Sequence, residues 1–371
     1  MRTDVAKALD IEVPIFAFSH CRDVVAAVTK AGGLGVLGAA WMTPEELEMS
    51  IEWLEKEVDG KPFGVDLVFP GTGEDEKEAD EYLASIPPSY MDFVTGMLDE
   101  AGLSDVAADD RDAFMADNAQ KMTMTNEKSA RQLKISLAHP SVRLIVGALG
   151  VTPKWVVEEA HAKGVMVGAL VGSARHAAKQ VEVGVDLLVA QGTEAGGSVG
   201  DVASMVLWPQ VVEAAAGVPV LGAGGVSRGS HVLAALSLGC QGVWLGSLWL
   251  GTAEGELSLE ARDKLFQAKS EDAVIAKVMT GKQGRMLRTP YVDAWQAPDA
   301  PSPLQWPMQS ILNGYSYMRA ERAHELDYWT YAVGQVIGDM QRSTTVKSEM
   351  TRLLDEYVEA LEALETRTSL D

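Results

Sequence analysis

The chain has 371 residues, of which 47% are hydrophobic and 23% are charged, so it is long enough to bury a large core. Acidic residues outnumber basic ones by 53 to 31, and the formal net charge of −22 argues against binding to nucleic acid or to anionic lipid. Two cysteines, Cys21 and Cys240, are too few for a disulfide scaffold or a four-cysteine zinc site. No apolar run reaches the roughly 18 residues of a membrane span. The N-terminus lacks the apolar core of a signal peptide, so we expect a cytoplasmic protein with no membrane partner.

Eight short apolar runs recur along the chain, and amphipathic stretches follow most of them. The runs are rich in Val, Leu and Ile and are apolar on both faces, which is typical of parallel strands covered on both sides. They are Val13–Ala17, Gly35–Gly38, Pro62–Val68, Val142–Gly147, Gly164–Leu170, Asp186–Ala190, Val218–Gly222 and Gly242–Gly246. Helical patterns lie at Asp23–Ala31, Thr43–Val58, Thr152–Ala162, Ala174–Val183, Val206–Ala216 and Gly229–Leu238. Eight such repeats predict an α/β fold, a (β/α)8 TIM barrel, over residues 1–70 and 141–270. A doubly wound sheet is the alternative, but it requires a dinucleotide motif.

Two segments exceed what the barrel requires. Residues 71–140 form an insertion after the third strand. Within it, residues 71–117 hold fourteen acids against two bases, Lys77 and Arg111, which indicates surface helices and a candidate lid. Residues 271–371 form a C-terminal extension with a proline-rich loop and a final helix at about Val346–Leu364.

Two glycine motifs match enzyme signatures in an unsuitable context. Gly33–Gly38 reads G-x-G-x-x-G, but a helical pattern precedes it and the glycines lie in the strand, which is the reverse of a dinucleotide site. We therefore expect these glycines to allow close packing of a helix on the strand. Gly196–Gly200 reads G-x-S-x-G, but Ser198 lies in a long loop instead of a sharp turn between strand and helix. A serine hydrolase with Ser198 as nucleophile stays open as an alternative.

Glycine turns follow the last two predicted strands. Gly224-Gly225 ends the seventh strand and Gly246-Ser247 ends the eighth. In barrels these two loops commonly bind a phosphate through backbone N–H groups, and glycine lets the backbone approach the anion. A further glycine-rich loop, Gln191–Gly200, follows the sixth strand and suits a flat ligand. His20 ends the first strand, and a side chain that titrates near neutral pH suits proton transfer there.

Taken together, these segments resemble the nitronate monooxygenase family, which in turn is similar to the FMN-dependent enoyl-ACP reductases. The matching segments are Ala31–Gly35, Phe63–Leu67, Ala190–Gly197, Ala223–Gly225 and Gly246-Ser247. The resemblance implies FMN at the barrel mouth and oxidation of a small organic, nitronate-like substrate with O2. It implies that the phosphate of FMN binds at Gly224, Gly225, Gly246 and Ser247. It also implies that the flavin ring and ribityl chain contact Gln191, Gly196, Gly197, the Phe18 backbone and Asp66.

Three positions depart from the family pattern. Ser198 stands where the family usually carries the histidine that is its proposed catalytic base. His20 takes the place of a methionine, and Asp66 takes the place of an asparagine. A serine does not act as an acid–base group near neutral pH without help. We therefore treat Ser198 and His20 as the two catalytic positions and hypothesise that His20 has taken over proton transfer or anion stabilisation.

Other functions remain open at this point. Within the same fold, an NAD(P)H-dependent reductase or dehydrogenase acting on an enoyl thioester or a quinone is the main alternative. A flavin-free barrel enzyme and an FMN-binding protein without activity are further alternatives. No metal-binding spacing or P-loop occurs in the sequence, and a homo-oligomer is compatible with this class.

Overall fold

Eight parallel strands close into a barrel in the computed structural model, which describes residues 1, 3–70, 77–104 and 106–369. In chain order the strands are β1 (Ile15–Ser19), β2 (Leu34–Gly38), β3 (Phe63–Leu67), β4 (Val142–Gly147), β5 (Met166–Val171), β6 (Leu187–Gln191), β7 (Gly197–Ser198), β8 (Val220–Ala223), β9 (Gly242–Leu245), β10 (Ala273–Ala276) and β11 (Gly284–Leu287). The barrel order is β1-β2-β3-β4-β5-β6-β8-β9, and β9 pairs with β1 to close it. Each predicted apolar run overlaps one barrel strand, and the (β/α)8 TIM barrel is confirmed.

The described residues also form α-helices, most of which surround the barrel. They are α1 (Asp4–Ala8), α2 (Arg22–Lys30), α3 (Pro44–Glu57), α4 (Ala79–Ala84), α5 (Pro88–Glu100), α6 (Ala108–Met122), α7 (Asn126–Ser136), α8 (Lys154–Ala162), α9 (Ala174–Val183), α10 (Ser204–Ala214), α11 (Gly229–Ser237), α12 (Leu259–Gln267), α13 (Pro290–Trp295), α14 (Met308–Arg322) and α15 (Val346–Thr368). The outer ring consists of α2, α3, α7, α8, α9, α10, α11 and α15. Helix α15 completes the ring because it contacts both α11 and α2.

Local sequence explains where these elements begin and how closely they pack. Thr43 caps α3: its Oγ1 accepts a hydrogen bond from the Glu46 backbone N–H at 3.2 Å, and the Glu46 carboxylate accepts one from the Thr43 N–H at 2.8 Å. A Cβ on Gly33 would lie 2.6 Å from the Ile15 carbonyl oxygen, and a Cβ on Gly35 would collide with the Val25 backbone. The glycines of the G-x-G-x-x-G segment therefore allow α2 to pack on the strands, in agreement with the sequence-based interpretation.

A second hydrophobic core lies outside the barrel and joins the insertion to the extension. Leu98 of α5, Ala119 of α6 and Tyr315 of α14 are fully buried in it. The Asn118 side chain of α6 donates a hydrogen bond to the Ile311 carbonyl of α14 at 3.0 Å. In contrast, α7 and α15 contribute to the barrel core. The predicted boundaries at residues 71–140 and 271–371 and the lid stay predictions, and residues 71–76, 105, 370 and 371 lie outside the described part of the chain.

A small antiparallel sheet places the extension over the mouth of the barrel. Its order is β10-β11-β7, and β11 pairs with β7 through Gly284 opposite Ser198 and Arg285 opposite Gly197. The glycine-rich loop after β6 is therefore held by a strand from the extension. None of the helices in the described residues is both long and apolar enough to cross a membrane.

Candidate active site

The turns after β8 and β9 lie side by side at the carboxyl end of the barrel, because Ala223 pairs with Trp244 in the sheet. Gly224 and Gly225 have φ angles of +89° and +73°, a left-handed backbone that glycine adopts without strain. No described residue accepts a hydrogen bond from the backbone N–H groups of Gly224, Gly225, Gly246 and Ser247. All four residues are partly exposed. Unpaired N–H groups on adjacent turns form a group of donors that suits an anion.

The glycine-rich loop after β6 is fastened to the Gly224 turn by Glu194 and Ser204. The Ser204 hydroxyl lies 2.8 Å from the Glu194 carboxylate and 2.9 Å from the Gly224 carbonyl oxygen. Glu194 also accepts a hydrogen bond from the Ser204 backbone N–H at 3.0 Å. Ser204 begins α10, so these bonds join Glu194 to the first turn of that helix. The carboxylate is therefore engaged by a helix N-terminus, although it lies near the proposed anion site.

His20, at the end of β1, contacts the end of β2. Its Nδ1 lies 2.9 Å from the Gly38 carbonyl oxygen. Because a carbonyl oxygen only accepts hydrogen bonds, Nδ1 carries the proton and Nε2 keeps a free lone pair. Burial lowers the pKa of His20 below its usual 6.5, although the Gly38 carbonyl and the Glu256 carboxylate oppose this shift. His20 is therefore a neutral imidazole near pH 7, with Nε2 able to accept a proton.

Phe18 lies beneath this end of the barrel. Its ring is stacked near Trp244 of β9, with centroids 6.1 Å apart, and meets the His20 ring edge-on at 5.1 Å. A Cβ on Gly38 would lie 2.7 Å from both the Phe18 ring and His20 Nδ1, so glycine is required there. Phe18 and Trp244 form an apolar floor below the mouth.

Asp66 of β3 is the buried carboxyl group of the barrel mouth, with 3% of its surface exposed. Burial raises the pKa of Asp66 well above its usual 3.8. No nearby cation opposes this shift among the described residues, so the protonated form is favoured.

Gln191 and Ser198 lie at the two ends of the glycine-rich loop and contact each other. The Gln191 side-chain amide donates a hydrogen bond to the Ser198 carbonyl oxygen at 2.7 Å. The Ser198 residue itself is exposed on β7. Gly197 has a φ angle of +78°, and no atom lies within 4 Å of the position that a Cβ would take there, so it faces open space. In contrast, a Cβ on Gly196 would lie 2.7 Å from the Val333 backbone, so the extension fills that side.

Aromatic residues of the extension lie near Glu256, whose carboxylate acts on His20; we call Glu256, Tyr317, Trp329 and Tyr331 the wall. Trp329 lies between two tyrosines, with ring centroids 6.0 Å from Tyr317 and 5.3 Å from Tyr331. Burial raises the pKa of both tyrosines, and the nearby Glu256 carboxylate raises them further. Glu256 also acts on His20, and the Cys21 thiol donates a hydrogen bond to the neighbouring Glu254 carbonyl oxygen at 3.3 Å. The wall therefore presents neutral phenols beside the exposed Glu256 carboxylate.

These residues fit a flavin monophosphate. The Gly224 turn offers unpaired N–H groups with no side chain of its own, and Glu194 atoms come no closer than 3.6 Å to a Cβ placed on Gly225. A Cβ placed on Gly246 would lie 3.9 Å from the Phe18 ring, which is an ordinary van der Waals contact. The Gly246 turn is therefore open on its Cβ side, and the backbone N–H groups of both turns stay unpaired among the described residues.

Eight of the eleven sequence-predicted residues fall into three groups; of the other three, Asp66 lies opposite Gly38 in the barrel, and Gly196 and Gly197 lie in the glycine-rich loop. The four phosphate-side residues lie on two adjacent turns, and His20 and Phe18 lie together at the end of β1. Gln191 and Ser198 are in contact through the loop. Sequence reasoning missed Glu194, Ser204 and the wall residues Glu256, Tyr317 and Tyr331. Glu194 could have been found, because it lies within the glycine-rich motif. The wall residues belong to no sequence motif, so nothing in the sequence pointed to them.

The structure is a (β/α)8 barrel whose mouth carries two adjacent glycine turns with unpaired N–H groups and a buried histidine, His20. Comparison with known proteins gives the family. The chain belongs to the nitronate monooxygenase family, whose family model matches residues 10–356. It is therefore a flavin-dependent oxidoreductase.

Individual relatives cover nearly the whole chain. A Mycobacterium tuberculosis protein named "Putative monooxygenase Rv1533" is 42% identical over 98% of this chain and 99% of its own length. A Staphylococcus haemolyticus protein named "Probable nitronate monooxygenase" is 28% identical over 98% of both chains. Among solved structures, FabK from Thermotoga maritima is 25% identical with a TM-score of 0.74, covering 99% of both chains. Nitroalkane oxidase from Streptomyces ansochromogenes, at 22% identity and a TM-score of 0.79, covers 97% of this chain and 99% of its own and shares the fold.

Proposed function

We propose that this protein binds FMN at the barrel mouth and oxidises a small organic substrate of the nitronate type with O2 as electron acceptor. The observation that carries the proposal is the pair of adjacent turns with unpaired backbone N–H groups. The phosphate of FMN would bind there, at Gly224, Gly225, Gly246 and Ser247. The rest of the cofactor would contact Gln191, Gly196, Gly197, the Phe18 backbone and Asp66.

In the proposed reaction the cofactor would exchange electrons with the substrate and His20 would take up the proton. FMN, when bound, supplies the two-electron redox chemistry. A neutral nitroalkane must lose its α-proton, and Nε2 of the neutral His20, which the Gly38 contact leaves free, would accept it. The imidazolium that results stabilises the anion formed beside it. Phe18 and Trp244 keep water away from below, and Ser198 lies exposed at the other side of the loop.

The visible spectrum of the purified protein tests the cofactor, and anaerobic mixing tests the substrate. A yellow protein that is bleached by a nitronate and recovers its colour with O2 supports the proposal. As a matched pair, Gly224→Ala should lose FMN, because its Cβ would lie 2.9 Å from the Gly192 carbonyl oxygen, whereas Gly60→Ala should keep it, since no atom lies within 4 Å of that Cβ. Both glycines have positive φ angles, so the pair separates crowding at the turn from general backbone strain. Equal FMN content in the two variants would contradict the assignment of the turn.

A second candidate function is reduction of a neutral acceptor, such as a quinone or an enoyl thioester, by NAD(P)H. The wall favours it, because neutral Tyr317 and Tyr331 can donate hydrogen bonds to a carbonyl oxygen, whereas Glu256 repels an anionic nitronate. Rapid bleaching of the flavin by NADH or NADPH without O2 would support this reading.

Glu256→Gln distinguishes substrates by charge. Removal of the carboxylate should raise kcat/KM for an anionic nitronate about threefold or more and leave a neutral quinone unchanged, as expected for one screened charge near the site. Glu260→Gln is the control, because Glu260 is exposed like Glu256 but lies at the start of α12, and only Glu256 acts on His20. If Glu256→Gln and Glu260→Gln behave alike, Glu256 does not act on the substrate.

The remaining alternatives have simple tests. Labelling of Ser198 by a fluorophosphonate would support a serine hydrolase, and a colourless protein that takes up no FMN would support a flavin-free barrel enzyme. Cytoplasmic localisation and homo-oligomer formation stay predictions.

A further inference from the structure

One segment of the extension touches all three loops on the phosphate side of the barrel mouth. We define residues 333–339 as the strap. It contacts the loop after β6, the turn after β8 and the turn after β9. We propose that the strap positions Ser247 and these loops for the phosphate of FMN, so that the affinity for the cofactor depends on residues that do not touch it. The inference rests on the proposed function.

The contacts with the first and third loops are made by consecutive backbone groups. The Gly334 N–H donates a hydrogen bond to the Ser247 hydroxyl oxygen at 2.8 Å, and the Gln335 N–H donates one to the Glu194 carbonyl oxygen at 2.9 Å. The backbones approach so closely that Gly196 and Gly334 leave no room for a side chain. A Cβ on Gly334 would lie 2.6 Å from the Glu194 carbonyl oxygen and 3.0 Å from the Gly196 nitrogen.

The hydrogen bond to Ser247 sets what its hydroxyl group can do. A serine hydroxyl accepts through its lone pairs and donates its single proton. Because the Gly334 N–H occupies the acceptor side, the oxygen is held in place while its proton stays available for donation. A phosphate oxygen above the Gly246-Ser247 turn is the natural acceptor. The strap therefore orients the Ser247 hydroxyl so that it can donate a hydrogen bond to the anion.

The far end of the strap is fastened to the turn after β8. The Ser227 hydroxyl and the Arg228 guanidinium donate hydrogen bonds to the Asp339 carboxylate, each at 2.5 Å. Arg228 holds the pKa of Asp339 below its usual 3.8, so the carboxylate is charged near neutral pH. Since Ser227 follows Gly224-Gly225 by two residues, this contact fixes the start of the anion turn relative to the strap.

The strap itself packs into the second hydrophobic core. Val333 and Ile337 are fully buried there. The Tyr331 carbonyl oxygen accepts a hydrogen bond from the Leu287 N–H of β11 at 2.9 Å, and the Thr330 hydroxyl donates one to the Leu287 carbonyl oxygen at 2.6 Å. The strap is thus held in place by the second hydrophobic core and by β11. Its contacts therefore fix the barrel loops relative to the extension.

The test compares FMN with riboflavin, which lacks only the phosphate. The full-length, flavin-free chain is titrated with each flavin, and Kd is read from the quenching of flavin fluorescence. Gly334→Ala should weaken FMN binding about 10-fold or more and riboflavin binding by a smaller factor. Its Cβ crowds Glu194 and Gly196, on the loop that both flavins would contact, whereas the loss of the positioned Ser247 hydroxyl affects only the phosphate. Gly96→Ala on α5 is the matched control, because no atom lies within 4 Å of its added Cβ.

Two further variants locate the effect. Ser247→Ala should lower the preference for FMN over riboflavin, and Gly334→Ala in the Ser247→Ala background should lower it little further, because the strap acts through that hydroxyl. If Gly334→Ala does not fold, Asp339→Asn provides the same comparison from the other end of the strap, with an expected loss of about threefold or more in FMN affinity.

The outcomes separate this inference from the proposed function. If the wild-type chain binds FMN no more tightly than riboflavin, the phosphate site itself is wrong. If the wild-type chain prefers FMN and Gly334→Ala and Asp339→Asn leave that preference unchanged, the strap does not position the phosphate site. A loss of affinity that is equal for both flavins would assign the strap a general structural role and would also overturn the inference.

Discussion

Replacing Asp66 by Asn should remove a pH dependence of stability that the wild-type chain carries. Burial raises the pKa of Asp66 above its usual 3.8 in the folded protein. Between the unfolded and the folded pKa values, the folded state therefore holds a proton that the unfolded state has lost. Unfolding releases that proton, so the free energy of unfolding falls as the pH rises through this window. The contribution is complete below about pH 4, where both states are protonated.

The size of the effect follows from proton linkage. A difference of one bound proton changes the free energy of unfolding by about 1.4 kcal/mol per pH unit. From pH 4.5 to pH 6.5 the wild-type chain should lose up to about 2.7 kcal/mol relative to Asp66→Asn. Asn has nearly the shape of a protonated Asp, so any packing difference is constant and does not change with pH.

Urea unfolding of the full chain at pH 4.5, 5.5 and 6.5 measures this difference. Asp299→Asn is the control, because Asp299 is exposed on the proline-rich loop, and its difference from wild type should stay within about 0.5 kcal/mol at every pH. The advantage of Asp66→Asn should grow with pH. A constant difference, or one that shrinks as the pH rises, would mean that Asp66 is ionised in the folded protein.

Four further predictions concern His20, Ser198 and the two thiols. His20→Ala should slow anaerobic flavin reduction by nitroethane about 10²–10⁴-fold in stopped-flow mixing, and an unchanged rate would remove His20 from the mechanism. Burial lowers the pKa of His20 below 6.5, so the kcat/KM of the wild-type protein should rise with pH and become constant by about pH 7. A continued rise above pH 7 would contradict a neutral His20. Ser198→Ala should change the rate of flavin reduction less than about threefold, since an exposed serine has no group to ionise it, and a larger loss would give its hydroxyl a role. Burial raises the pKa of Cys240 to about 12 and also raises that of Cys21. The thiols of the folded protein should therefore react with an aromatic disulfide reagent at pH 8 far more slowly than those of the urea-unfolded chain. Similar rates for the two states would refute this prediction.

The barrel could be predicted because its strands carry a strong local signal. All five residues of β2 and of β3 are buried, so an apolar run, interrupted in β3 by Asp66, marks each strand in the sequence. The ring position of α15 carries no such signal. An amphipathic helix shows that one face is covered, but its pattern does not say that α11 and α2 cover it.

The same distinction holds within the site. The Gly224-Gly225 turn could be predicted, because a backbone with positive φ angles after a buried strand requires glycine locally. Gly196 belongs to the same kind of motif, yet the Val333 backbone, far along the chain, fills the space beside it. The strap, the small sheet with β7 and the wall depend on contacts between distant segments, and a single sequence does not show such contacts.

The positions of His20 and Ser198 have different consequences for how the enzyme depends on its extension. His20 lies on a barrel strand and is held by the Gly38 carbonyl of the next strand. Ser198 lies on β7, which is paired with β11 of the extension. A proton acceptor on β1 therefore keeps its geometry even when the extension shifts, whereas a group at residue 198 would move with it. It follows that strap variants should change flavin affinity with little effect on the rate of proton transfer in the flavin-saturated enzyme, and His20 variants should do the reverse.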